Sequence, residues 1–325
     1  MKRATRLLQL LAILLFLPSM AHAQFEDEHA FLCTQAGGME DLGTIPGWPN
    51  SFATAISDSG EVVGSDGLNS DVTAFRWTRS AGMQHLPGSS SSYSAAVAVN
   101  DSGDVAGVYY PTGTTTVHGF IWTPVGGFQD LGTLGGSTTT VTGINQSGEV
   151  VGYSEIASGA GHGFLWTQSG GMQDLGTFIP EAVNDTGAIA GGSTAANGDA
   201  EAAVWNEGRI SVLGPGAAYG INNRGQVTGV RYTRYTPQQA FIWNPGGGGM
   251  QLLPLLPGAI ASYGQGINNS GEVVGWSLAG SPFYQAFIWT PTGGTQDIGN
   301  LGGNYGAQAF AINDAGQVVG SSTIQ

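Results

Sequence analysis

The sequence predicts an all-β protein, a seven-bladed β-propeller of four-stranded antiparallel blades. Three observations predict it. One phrase returns seven times: a small-aromatic-aliphatic-Trp strand, a turn, a Gln-Asp-Leu-Gly strand, then aliphatic-Asn, a polar turn ending in Gly, and Val-Val-Gly. Its period of about 44 residues is the length that holds the four short strands of one blade. Glycine, 55 of the 325 residues, and other turn formers cut every β-branched or aromatic run, so helices are nearly excluded beyond the first residues.

The first element is a removable address over residues 1–23. Lys2, Arg3 and Arg6 make a basic start, Leu7 to Leu17 an apolar run, and Ala21-His22-Ala23 a small-x-small cleavage site before Gln24. A run of about eleven apolar residues is too short to anchor the chain, since a membrane span needs about twenty. The expectation is a secreted or periplasmic protein whose residues 24–325 form a single repeat domain.

Each repeat carries two tight turns. One follows Trp, as in Pro291-Thr292-Gly293-Gly294; the other is Asn-x-x-Gly, as in Asn100-Asp101-Ser102-Gly103 and Asn268-Asn269-Ser270-Gly271. In the second, Asn opens the turn with its side chain and Gly takes the left-handed position. The strand before the Asn turn is built from Ala, Gly and one aliphatic residue (Ala98-Val99, Gly220-Ile221, Ala311-Ile312), which suits the crowded strand nearest the axis. The Gln-Asp-Leu-Gly strand carries a charge, which suits an exposed edge. A blade therefore reads aliphatic-Asn, Val-Val-Gly, Phe-x-Trp, Gln-Asp-Leu. That order resembles the kelch blade. It also predicts closure: His29 to Gly43 supplies the two outer strands of a blade whose inner strands lie at Ala309 to Ser322.

The phrase itself resembles the HAF family of extracellular repeat proteins, named for the motif that stands here as His29-Ala30-Phe31. The resemblance covers residues 29 to 322. It implies a secreted repeat protein without a settled activity, and no catalytic residue carries over. The copy Ala203-Val204-Trp205-Asn206 departs most, lacking the leading aromatic and shortening its turn to Glu207-Gly208.

Charge narrows the partners. Removing Lys2, Arg3 and Arg6 from the nine basic residues leaves six arginines against 23 acidic groups, a net charge of −17. Such a surface repels nucleic acid and anionic membranes and favours a soluble monomer, so the expected partner is a glycan or an extracellular protein. A single cysteine, Cys33, excludes an intrachain disulfide and stands where six other copies carry Trp, which reads as a small buried hydrophobe.

No motif announces catalysis. His29, His118 and His162 share one repeat position and read as scaffold, with Gln239 and Gln285 in their place elsewhere; His85 reads as an exposed outer-strand residue. Asp101-Ser102-Gly103 and Asp58-Ser59-Gly60 are turn copies, and no Gly-x-Ser-x-Gly, His-Glu-x-x-His or paired Cys appears. No cofactor is expected. The Asn turns fall short of the carboxylates of a full calcium loop, and one or two of the richer copies, with Asp101 and Asp104, offer calcium a weak site. Glu155, Glu181, Asp199 and Glu201 fall between the repeat strands and read as solvated loop charges.

One rim remains, formed by the loops after Val-Val-Gly and after Gln-Asp-Leu-Gly. It gathers irregular aromatics: Trp48, Tyr93, Tyr109, Tyr110, Tyr263, Phe283, Tyr284 and Tyr305. Its most unusual segment is Arg231-Tyr232-Thr233-Arg234-Tyr235, two Arg and two Tyr in a chain with few arginines. Aromatic platforms stack on sugar rings or on a protein partner, and Arg forks a carboxylate. The expected ligand-binding residues are therefore Arg231, Tyr232, Arg234, Tyr235, Tyr109, Tyr110, Tyr263 and Tyr284, on a non-enzymatic binding or adhesion module. The alternatives are a glycan-active hydrolase or lyase on the same ring, with loop carboxylates as acid and base, and a purely structural surface component.

Overall fold

The computed structural model describes residues 27–68, 71–88, 93–114, 116–280 and 283–325; the expected signal segment lies outside the described residues. Among them all regular structure is strand, with no helix. β1 (Glu28–Thr34) and β2 (Gly38–Asp41) form a hairpin. Five four-stranded meanders and part of a sixth sheet follow in order: β3 (Asn50–Ile56), β4 (Val62–Leu68), β5 (Asp71–Thr78), β6 (Gly82–His85); β7 (Ser94–Val99), β8 (Val105–Tyr109), β9 (His118–Thr123), β10 (Gly127–Asp130); β11 (Gly135–Ile144), β12 (Val150–Ile156), β13 (Gly161–Thr167), β14 (Gly171–Asp174); β15 (Ile179–Val183), β16 (Ile189–Thr194), β17 (Ala200–Asn206), β18 (Arg209–Pro215); β19 (Ala217–Ile221), β20 (Val227–Thr233), β21 (Thr236–Asn244), β22 (Gly247–Leu252). Then come β23 (Ala261–Ile267), β24 (Val273–Leu278), β25 (Tyr284–Thr290), β26 (Gly294–Asp297), β27 (Gly302–Ile312) and β28 (Val318–Ile324).

Neighbouring strands of each meander pair antiparallel. β28 pairs with β1, placing Gly320 opposite Phe31 and Val318 opposite Cys33, so the end of the chain joins the first hairpin. A single parallel bridge between Tyr284 and Gly306 links that set to β23–β26, giving one eight-stranded sheet beside five four-stranded ones. This arrangement of antiparallel meanders about an axis is a β-propeller.

The glycine of Val-Val-Gly recurs because the innermost strand crosses directly over it. A Cβ on Gly152 or Gly275 would collide with the carbonyl of Thr140 or Tyr263. The space beside that glycine takes the phenylalanine of the third strand: Phe75, Phe120, Phe164, Phe241 and Phe287 are at most 1% exposed. Such a side chain contributes about 3 kcal/mol by leaving water. The departing copy has Ala203 instead, and Phe178 fills the gap from just before β15: its ring tip stands 3.1 Å from the Cβ position of Gly191, as that of Phe287 does from Gly275. Its shortened turn holds Glu207 at φ 48° and Gly208 at φ 85°, the two left-handed residues of a tight hairpin turn.

Cys33 is buried in the tryptophan position, and burial pushes its thiol pKa up. Arg76 ties sheets together, with Nε 2.8 Å from Glu61 Oε1 and its guanidinium 5.3 Å from the Trp122 ring.

Candidate functional site

The Asn turns meet around one axis, and their side chains are committed to structure. In the turn at Asn268, Oδ1 accepts from the backbone N–H of Ser270 (3.1 Å) and Glu272 (3.0 Å), while Nδ2 donates to Glu272 Oε2 (2.8 Å) and to the Asn313 carbonyl of the next turn (3.1 Å). The link from Nδ2 to the next turn repeats at Asn100, Asn145, Asn184, Asn222 and Asn313. Ser57 holds the seventh position and lacks the donor. The following residues form a second circle, in which each backbone N–H donates to the neighbouring side chain: Asp58 to Asp101, Asp101 to Gln146, Gln146 to Asp185, Asp185 to Asn223, Asn223 to Asn269, Asn269 to Asp314, and Asp314 back to Asp58.

These turns enclose a cavity of about 280 Å³. Burial is the main cause that raises the Asp58 pKa; the Asp314 backbone N–H opposes it, and the charges of Asp314, Asp101 and Asp185 add to it. Asp101, one of the two expected weak calcium ligands, already accepts from Asp58 N and from Gln146 Nε2 at 2.8 Å, and Asp104 accepts from Asn100 Nδ2. No group of three potential metal ligands occurs among the described residues.

Antiparallel pairing puts the loops after the second and fourth strands on the opposite face. Arg231 and Tyr232 end β20, and Arg234 and Tyr235 form the turn beyond it. Tyr235 is 92% exposed, Arg234 Nη2 lies 2.9 Å from Asp199 Oδ1, and Tyr232 is half-buried, which raises its pKa. Tyr109 donates to Asp130 Oδ2 (2.6 Å) and meets Phe128 edge-on at 4.8 Å; Tyr110 stacks on Tyr93 at 4.6 Å. Tyr263 stacks on Trp276 at 4.0 Å, and Tyr284 meets the same indole edge-on at 5.5 Å. The eight residues thus fall into several groups around the face: Tyr109 with Phe128, Tyr110 with Tyr93, Tyr263 and Tyr284 on Trp276, and the Arg231 to Tyr235 segment.

The axial side holds a group that the sequence pattern hid. Glu181, expected as a solvated loop charge, lies in β15 and accepts from the Tyr153 hydroxyl at 3.1 Å. Burial pushes its carboxyl up to about 8, with the Tyr153 hydrogen bond opposing. Glu181 keeps some accessible surface, but protein surrounds it, and those surroundings set its ionisation. Tyr219 is raised by burial first and next by the Glu181 charge, then by Tyr232 and Tyr263, which marks these residues as neighbours. Glu155 and Glu201 also lie in strands, β12 and β17; only Asp199 is in a loop, and it is not solvated alone but paired to Arg234.

The histidines are scaffold of a definite kind. His29, His118 and His162 place Nδ1 2.8–2.9 Å from Asp41, Asp130 and Asp174, and the same aspartates accept the backbone N–H of Gly43, Gly132 and Gly176. His85 is, as expected, an exposed residue of the outer strand β6, and it also pairs at 3.1 Å with Asp66, which is fully buried.

Comparisons bear on the fold. No family model matches the chain, and no curated protein matches it. Among solved structures it is similar to a putative TolB from Agrobacterium tumefaciens, with 10% identity over 93% of this chain and 100% of that one (TM-score 0.56). It is also similar to the β-propeller domain of the Trilobed protease from Pyrococcus furiosus, with 8% identity over 84% of this chain and 92% of that one (TM-score 0.58). The Pyrococcus horikoshii acylaminoacyl peptidase matches over 80% of this chain and 49% of its own length, with 10% identity and a TM-score of 0.51. At such identities the likeness establishes the β-propeller fold alone.

Proposed function

We propose that the chain is a secreted, seven-bladed propeller of the HAF type that serves as a binding or adhesion module for a glycan or an extracellular protein. Seven blades follow if the eight-stranded sheet counts as two, with β27, β28, β1 and β2 forming the blade that closes the ring. The bond from Asp314 to Asp58, 256 residues apart in sequence, supports that closure.

The observation that carries the binding role is the contrast between the two faces. On one face the turn side chains are consumed by hydrogen bonds between neighbours; on the other, aromatic groups and the Arg231 to Tyr235 segment follow no repeat rule. Irregular loops on a rigid ring are where recognition is usually placed. A glycan and polysaccharide array run with product analysis by mass spectrometry tests the reading. Binding with unchanged ligand is expected; cleaved or eliminated product would replace it with the enzyme reading.

A further inference from the structure

Each innermost strand carries a β-bulge shortly before its Asn turn, with a second register shift nearer the start of β11 and β27, and the residue at the shared bulge differs from strand to strand. The shared register shifts fall at Thr54, Val97, Thr142, Glu181, Tyr219, Gln265 and Phe310. Thr54 and Thr142 spend their hydroxyls on backbone carbonyls of the neighbouring sheet, Ala96 O at 3.0 Å and Pro180 O at 3.1 Å. Val97 and Phe310 are apolar. Three consecutive innermost strands, β15, β19 and β23, instead carry large polar groups: Glu181, Tyr219 and Gln265. Bulges re-aim side chains and are common beside binding sites.

Around these three the ring loses its symmetry. Tyr153 donates to Glu181, Tyr219 neighbours Glu181, Tyr232 and Tyr263, and Tyr263 lies flat against Trp276. Gln265 Nε2 and Trp276 Nε1 are buried donors with no hydrogen-bond partner among the described residues. A buried donor left without a partner is costly, so a ligand that supplies an acceptor gains there. No arginine or histidine pairs with Glu181 among the described residues; its titratable neighbours are Tyr153 from β12 and Tyr219 from β19. A carboxyl enclosed by tyrosines, in a chain with excess negative charge, lacks its countercharge.

We propose that Glu181 and the tyrosines around it bind an organic ammonium group carried on a body with a hydroxyl or carbonyl acceptor. The aromatic faces attract a cation, Glu181 supplies the opposite charge, and the unmet Gln265 and Trp276 donors meet the acceptor. This site centres on the innermost strands and shares Tyr232 and Tyr263 with the loop-face residues of the proposed function; Glu181 lies outside that set and choline is measured without the array ligand, so either reading can fail alone. Binding ionises Glu181, and its proton leaves to the buffer. Affinity therefore strengthens by about tenfold per pH unit up to about pH 8 and is flat above it.

The probe is choline, whose charge does not titrate, set against its uncharged carbon isostere 3,3-dimethylbutan-1-ol. Calorimetry on the full chain in buffers of different ionisation enthalpy should show choline binding at least about tenfold tighter than the isostere, with close to one proton released near pH 6 and almost none near pH 9.5. Glu181→Gln should lose at least about tenfold in affinity together with the pH dependence, and Tyr219→Leu should weaken choline more than the isostere. Equal binding of the two probes, binding that ignores pH, full affinity in Glu181→Gln, or no heat with choline at millimolar concentration would each overturn the proposal. The proton count is read on the native chain, so the test stands even if a variant misfolds.

Discussion

Replacing Asn268 with Ala tests whether the Asn turns act as staples between sheets or only as local turn formers. The side chain is 3% exposed and makes four hydrogen bonds, two within the turn backbone, one to Glu272 and one to the neighbouring Asn313 carbonyl. At about 0.5–1.5 kcal/mol each, with buried partners left behind, the loss comes to about 3 kcal/mol. For a chain of this length that is a fall of roughly 5 °C in melting temperature. Asn268→Ser should cost about half as much, because Ser57 shows that a hydroxyl can accept the turn N–H (Glu61 N to Ser57 Oγ, 3.1 Å) without reaching the next turn. Ser57→Asn should then stabilise by about 1 kcal/mol by supplying the missing donor to the Asn100 carbonyl. Thermal and urea denaturation read all three. An Asn268→Ala protein that melts within about 1 °C of the parent, or a Ser57→Asn protein that is less stable, would refute the staple.

Further outcomes follow from other parts of the ring. Phe178→Ala should cost about 3–4 kcal/mol, as much as Phe164→Ala, by the same denaturation assay; a cost below about 1 kcal/mol would mean that Phe178 does not replace the missing aromatic. Deleting Val318 to Gln325 removes β28, which pairs with both β1 and β27, so the protein should lose more than about 4 kcal/mol and aggregate by light scattering; parental melting would disprove the closing pair. Glu181 has a folded pKa raised to about 8 from an ordinary value of 4.5, so its contribution to stability is full below the lower value and is lost as pH rises through the higher. Each tenfold change in proton affinity is worth about 1.4 kcal/mol, so Glu181→Gln should flatten that decline and be the more stable protein near pH 9; a pH profile of melting parallel to the parent's would contradict it.

Repetition made the fold legible, because a phrase with Asn-x-x-Gly, Val-Val-Gly and Phe-x-Trp at fixed spacing names each strand and its order in the sheet. The circle of bonds between turns was not legible. Asn and Asp explain a turn locally, and only the convergence of sheets brings Asn268 to Asn313 or Asp314 to Asp58. Phe178 was hidden because it serves the repeat from outside the expected strand. Glu181 reads as a loop charge because Ile179-Pro180-Glu181-Ala182 replaces the Gly and aliphatic pattern of an innermost strand, so β15 looks like a connection. The clue available was register: Glu181 stands two residues before Val183-Asn184, where Tyr219 stands before Ile221-Asn222. The aromatic loop face was legible as composition, whereas its division into the Tyr93–Tyr110, Tyr109–Phe128 and Tyr263–Trp276 groups depends on side-chain packing.

The division of labour between the two faces is tested most directly by measuring affinity and melting temperature together on two variants, using a ligand identified by the array. One carries Arg231→Ala, Arg234→Ala and Tyr235→Ala on the loop face; the other carries Asn268→Ala on the turn face. Exposed ion pairs such as Arg234 with Asp199 contribute at most about 1 kcal/mol, so the loop variant should keep its melting temperature within about 3 °C and lose at least about tenfold in affinity. The turn variant should do the reverse. A loop variant with parental affinity, or a turn variant that melts normally yet no longer binds, would contradict the account.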